Sequence, residues 1–384
     1  MAELGDLFTT EDWPKEWHAL PCQCPEFPEA ARGPGDPAFF RARANLAKRA
    51  LRTLDSSVIK QAVAAGKPRD PFGMHFGWHL ESTALTNLLV SCAYLSIQDV
   101  ELESAEEYLD GLLHFADGLE GSPYLDLMYA RAEVFRTLLM LANAGDLASV
   151  LPVDEIDHIV VQAARGALAN DAVSPILAMA WYADEKFVDI VDKYGWQDEE
   201  LMPSAPTFAK ALQRAWIRTY GPFNPFLYYD RKAYVSTLLK VAELLERPYY
   251  EVVTNPEEPL QEFVWQSKTQ LLTNWFAGTA SRIAINDQAA SQATARILAL
   301  GLLVQRYHAE HGTCPESLEA LEWPAGIDAE TVAELLRDPY TGEPFQYTQQ
   351  DGRCVIESET LNENYMCACV KRFVFPPGGL NYAR

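Results

Sequence analysis

Two histidines one helical turn apart, in His75-Phe-Gly-Trp-His79, could share a metal ion, with Glu81 close by. A metallopeptidase needs a glutamate directly after the first histidine; here Phe76 stands there, and Gly77 weakens any helix through the pair. The simpler reading is two structural or surface histidines. Asp154-Glu155-Ile-Asp157-His158 holds the groups for acid–base catalysis. Acids in the first turn of a helix, however, already complement its dipole. His308 and His311 flank the end of a long helix and read as capping or surface groups. A glycine-rich phosphate loop, a nucleophile elbow and a dinucleotide fingerprint are all missing. The sequence therefore leads to no expected catalytic, cofactor or metal residue. Among 54 acidic residues a carboxylate pair for glycoside hydrolysis cannot be located.

Aromatic residues crowd Tyr220–Tyr234, where Phe226, Tyr228 and Tyr229 stand among Asn224, Asp230 and Arg231; Trp275 follows on a later apolar stretch. Such side chains either fill a helical core or form a platform for a sugar or peptide. The seven cysteines include two Cys-x-Cys pairs, Cys22/Cys24 and Cys367/Cys369, whose state as disulfides, thiols or metal ligands stays open. Cys92 lies in an apolar helical run and reads as an inert core residue.

The elements that would position these groups are mostly helices. Residues 1–37 form a Pro-rich, extended lead-in. The 3.6-residue pattern then predicts helices over Ala38–Leu54, Leu80–Ser96, Ser104–Leu119, Ser122–Ala144, Val153–Ala169, Ser174–Tyr194, Ala205–Thr219, Lys232–Glu246, Pro259–Gly278 and Asn286–His308. Ser104 with Glu107, and Thr313 with Glu316, have capping-box spacing. The pattern defines an all-helical body, 38–285; over 80–145 small and large residues alternate in the style of a degenerate tetratricopeptide array without a sustained repeat.

After that body comes Tyr307…His311-Gly312…Pro315…Leu318…Leu321, then Asp338-Pro339-Tyr340-Thr341-Gly342-Glu343-Pro344-Phe345-Gln346-Tyr347 and a hairpin turning at Asp351-Gly352. This order resembles the C-terminal half of type II secretion pseudopilins, over about 291–360. The same tail looks like that of large helical planctomycete-type proteins of unknown function. The resemblance implies a packed α+β unit over 286–360; the tail over 361–384 is extra to it and reads as a surface arm. It departs in lacking both the initial hydrophobic helix and the glycine of a calcium loop. Cys314 and Cys354 both fall inside the small unit, close enough for a disulfide in an oxidising compartment.

The fold expectation is thus mainly α: a helical-hairpin body with a small C-terminal α+β pseudopilin-like unit. The net charge of −23 argues against nucleic acid as a partner, and no stretch reaches the roughly 20 apolar residues needed to span a bilayer. No signal peptide is visible. The residues fit a cytoplasmic protein or one whose leader has been removed; the second, extracytoplasmic, reading follows from the resemblance. The functional expectation is a non-enzymatic binding or assembly protein with a protein or peptide partner, homo-oligomerisation left open. Its alternative is a carbohydrate-active enzyme with a helical toroid and an aromatic cleft.

Overall fold

The computed structural model describes residues 76–194, 225–252, 278–350, 352–358 and 372–376, with single positions between 44 and 60. It is mainly helical, with one small antiparallel sheet at the C-terminal end. In chain order the helices are α1 (Phe76–Gln98), α2 (Leu102–Leu119), α3 (Leu125–Ala144), α4 (Val153–Leu168), α5 (Val173–Tyr194), α6 (Pro225–Leu245), α7 (Tyr249–Val252), α8 (Gly278–His311) and α9 (Ala329–Leu335). The strands are β1 (Gln346–Gln350), β2 (Arg353–Glu357) and β3 (Arg372–Phe375), in the order β1-β2-β3.

Helix α2 shows why these residues fold as they do. Ala105, Tyr108, Leu109, Leu112, Leu113 and Ala116 recur at helical spacing and are all buried, while the acids Glu103 and Glu107 lie on the outer face. Its N-cap is Glu101, without a side-chain cap, so Ser104 lies inside the helix and the expected capping box does not form. The Thr313/Glu316 box fails likewise: only a short 3-10 turn, Leu318–Ala320, forms there. Asp328 does cap α9, its carboxylate accepting from Thr331 N–H at 2.8 Å. Gly312 ends α8 with φ +71°, a left-handed conformation that glycine adopts without strain.

Two hydrophobic cores share α8. The larger joins α1–α4, the C-terminal half of α8 and the sheet; its fully buried residues include Leu88, Leu109, Phe135, Leu298 and Phe373. The smaller joins α5, α6, α7 and the N-terminal half of α8 around Met179, Tyr234, Leu238 and Ile285. Close approach in the larger core depends on missing side chains: a β-carbon on Gly166 would lie 2.4 Å from the Phe135 ring, and one on Gly301 2.6 Å from Phe373.

Buried amides tie the cores to the turns around them. Gln305 donates to Ala142 O (2.7 Å) and Gly145 O (2.8 Å), and accepts from Leu147 N–H (2.9 Å), fixing the α3–α4 connection. Gln288 repeats the device at the α4–α5 connection, accepting from Ala172 N–H (3.1 Å) and donating to Leu245 O (3.0 Å). Satisfying buried backbone groups in this way avoids roughly 1–3 kcal/mol for each orphaned group.

Three expectations need correction. α8 begins at Gly278 rather than at Asn286, because Asn286, Asp287 and Gln288 are buried helical residues with partners and not a helix start. α6 begins at Pro225 rather than Lys232, since Pro225 opens a helix well and the aromatics after it continue the helix. The expected surface arm, 361–384, does not hold for Arg372–Phe375. These residues pair with β2 and bury Phe373 and Phe375.

Candidate functional site

The Asp338–Phe345 stretch is a turn that locks the sheet to the smaller core. Asp338 is 2% exposed; its carboxylate accepts from Tyr340 N–H (3.0 Å) and from the Ser358 hydroxyl (2.9 Å). Gly342, at φ +75°, lies so close to Tyr250 that a β-carbon would be 2.8 Å from the ring. Tyr340 packs edge-on against Tyr249 at 5.2 Å. The turn holds the sheet in place through these contacts, which are structural in character.

The same unit contains a crosslink. Cys314 and Cys354 are joined as a disulfide, with a Cα–Cα separation of 5.7 Å. Beside it the Tyr347 hydroxyl donates to Pro315 O at 2.7 Å. Cys92, by contrast, is buried in α1, and burial pushes its thiol up to about 12, which removes thiolate reactivity.

The aromatic positions lie mainly on α6. Tyr228 and Tyr229 are 52% and 65% exposed and meet edge-on at 5.7 Å. Arg231 lies over the Tyr228 ring at 5.5 Å and donates to Asp184 O at 3.2 Å on α5. One turn before Asp184 stands Trp181, 53% exposed, and one turn before that Leu177, 43% exposed. α5 and α6 therefore present an outward face of aromatic and apolar groups bridged by an arginine. Sequence reasoning missed its α5 half, because Leu177 and Trp181 have the spacing of an ordinary buried stripe. Phe226 is helical, with its side chain outside the described set, and Trp275 lies outside the described residues, as do His75 and both Cys-x-Cys pairs.

His308 packs edge-on against Phe375 at 5.1 Å, and His311 stacks on Tyr307 at 4.1 Å. Both are packing groups at the end of α8.

A second cluster lies between α2 and α4. His158 Nδ1 is 3.4 Å from an Asp110 carboxylate oxygen, and its Nε2 is 3.5 Å from the Gln162 amide. One ligand atom each from Asp110, Glu155 and His158 fall within 4.8 Å of one another. Burial, with Asp110 and Glu106 nearby, pushes the Glu155 carboxyl up to about 7, and its Oε1 is buried without a hydrogen-bond partner. Asp157, in the same acidic run, points instead to Arg306 of α8. The sequence shows Glu155 and His158 but gives no signal that Asp110 joins them from another helix.

Between α6, α7 and α8 the niche lined by Leu244, Tyr249, Ile285 and Gln288 has a free volume of about 10 Å³, room for one water. Comparison with protein-family models, with curated proteins and with solved structures finds no match for this chain.

Proposed function

We propose that the protein is a non-enzymatic binding or assembly scaffold that takes a protein or peptide partner on the outward face of α5 and α6. The observation that carries this reading is the exposed run Leu177, Trp181, Tyr228 and Tyr229, joined by Arg231. Aromatic residues and arginine dominate binding hot spots, because each offers a large contact area with a polar handle.

The finer architecture belongs to the same proposal: a helical-hairpin body, α1 against α2 first, ending in a pseudopilin-like α+β unit. So does an extracytoplasmic setting, which the Cys314–Cys354 crosslink supports because disulfides persist in oxidising compartments. The carbohydrate-active alternative requires two carboxylates beside the aromatics. Among the described residues, Asp110 and Glu155 converge on α2 and α4, away from the aromatics of α5 and α6.

The test is crosslinking of the full chain in its native host, followed by mass spectrometry, with Trp181→Asp/Tyr228→Asp as the comparison. Both positions are solvent-exposed, so the variant keeps its helical circular dichroism. A partner crosslinked through α5 and α6 that the double variant loses by tenfold or more supports the proposal. A partner retained by the variant, or saturable binding of oligosaccharide in its place, overturns it.

A further inference from the structure

We propose that Asp110, Glu155 and His158 bind one divalent transition-metal cation of the zinc type, clamping α2 to α4. The three groups come from two helices and meet at one point. Glu155 and His158 are three residues apart on α4, which places them on one face.

The distances favour a shared cation over a hydrogen bond. An N–H···O bond is usually 2.7–3.2 Å. The His158–Asp110 separation is longer, at 3.4 Å. Two ligands of a tetrahedral zinc bound at about 2.0–2.1 Å are themselves about 3.4 Å apart. The three ligand atoms span 4.8 Å at most, so a small turn of the Glu155 carboxylate closes the set around an ion. The Glu155 oxygen that is buried without a donor is the second indication, since a desolvated carboxylate oxygen needs a proton, a donor or a cation.

Charge points the same way. Asp110 and Glu155 place two carboxyl groups beside the His158 imidazole, and Glu106 adds to the negative field at Glu155. The arginine on the far side of the acidic run, Arg306, is engaged by Asp157 and by the Glu322 carbonyl. The N-terminal end of α4 adds roughly half a positive charge, which opposes a cation. Three carboxylates outweigh it.

The outer contacts fit metal ligation. The Gln162 amide nitrogen stands 3.5 Å from His158 Nε2; a half-turn of that amide lets its carbonyl accept the Nε2–H and leaves the Nδ1 lone pair for the ion. One nitrogen and two oxygens suit zinc or a similar first-row ion better than calcium, which takes oxygen ligands alone. With three protein ligands, water completes the shell.

The experiment uses the full chain, stripped of metal, titrated with zinc by calorimetry and with cobalt by visible spectroscopy. The expected result is one zinc per chain with micromolar or tighter affinity, and the d–d bands of tetrahedral cobalt. Glu155→Gln and His158→Ala should each weaken zinc by about tenfold or more while the helical circular dichroism stays unchanged. Should either variant fail to fold, Asp110→Asn replaces it, since that carboxylate is partly exposed on α2. No binding at millimolar zinc, or zinc held equally well by the folded variants, overturns the site.

Discussion

Along α8, Ala295–Val304 lies in the larger core and Ala284–Ala289 in the smaller one, and the two stretches are built from different materials. The C-terminal stretch is Ala, Ile, Leu and Val with one glycine, Gly301, interrupted by one buried arginine; Arg296 is neutralised by Glu334 and donates to the Glu334 and Arg337 carbonyls, both at 2.7 Å. The N-terminal stretch places Asn286, Asp287 and Gln288 side by side under cover. Its partners are adaptable: Met128 and Met179 fill gaps where Phe115 and Phe135 do so in the larger core. The larger core thus depends on close shape fit, as Gly166 and Gly301 show. The smaller depends on polar groups each finding a partner, and its stability should follow pH as well as volume.

The contrast breaks most visibly at Phe373. Phe373→Ala empties a fully buried ring site against Gly301, and we expect a loss of about 3–5 kcal/mol in denaturant unfolding. A loss under about 1 kcal/mol would mean that the sheet does not complete the larger core.

Asp287 sharpens the comparison from the other side. Burial raises its carboxyl to about 6, against a weaker opposing hydrogen bond from Tyr129. An acid whose folded-state value is raised holds its proton longer in the native state. Its contribution to stability is therefore fully present below the ordinary value of 3.8 and declines as pH rises to about 6, then levels off. We expect wild type to lose on the order of 3 kcal/mol across that window relative to Asp287→Asn. Parallel stability–pH curves for the two proteins would refute it. Glu155 titrates in the same direction and is common to both, so the difference isolates Asp287.

The smallest effect is expected at Met179. Met179→Leu conserves volume at an adaptable position and should shift stability by less than about 1.5 kcal/mol. A loss equal to that of Phe373→Ala would show both cores to be equally close-packed.

Helix positions were legible in the sequence wherever apolar spacing was strong, as in α2 and α4, and the Asp-Gly signal at 351–352 in the sequence pointed to the antiparallel pairing of β1 and β2. The start of α8 was not, because Asn286-Asp287-Gln288 has the composition of a helix start and its burial is made tolerable by partners distant in sequence, among them Tyr249, Leu245, Ala172 and Tyr129. β3 was hidden for a related reason. Arg372–Phe375 is four residues long and precedes a Pro-Pro-Gly-Gly run, and its place beside β2 is decided by tertiary pairing. Of the candidate cluster, the run from Glu155 to His158 was visible and read as first-turn acids; Asp110 arrives only through packing.

One consequence of β3 concerns the order in which the chain is made. Phe373 fills the notch over Gly301, and Asn143 holds the strand by accepting from Val374 N–H at 2.9 Å and donating to Arg372 O at 3.2 Å. All of α1–α8 leaves the ribosome before these residues do. During synthesis the Gly301 face of α8 is therefore an apolar surface awaiting its cover, and the larger core closes only once β3 has emerged. A nascent chain stalled before residue 372 would present that notch to chaperones, and emergence of β3 is what withdraws it.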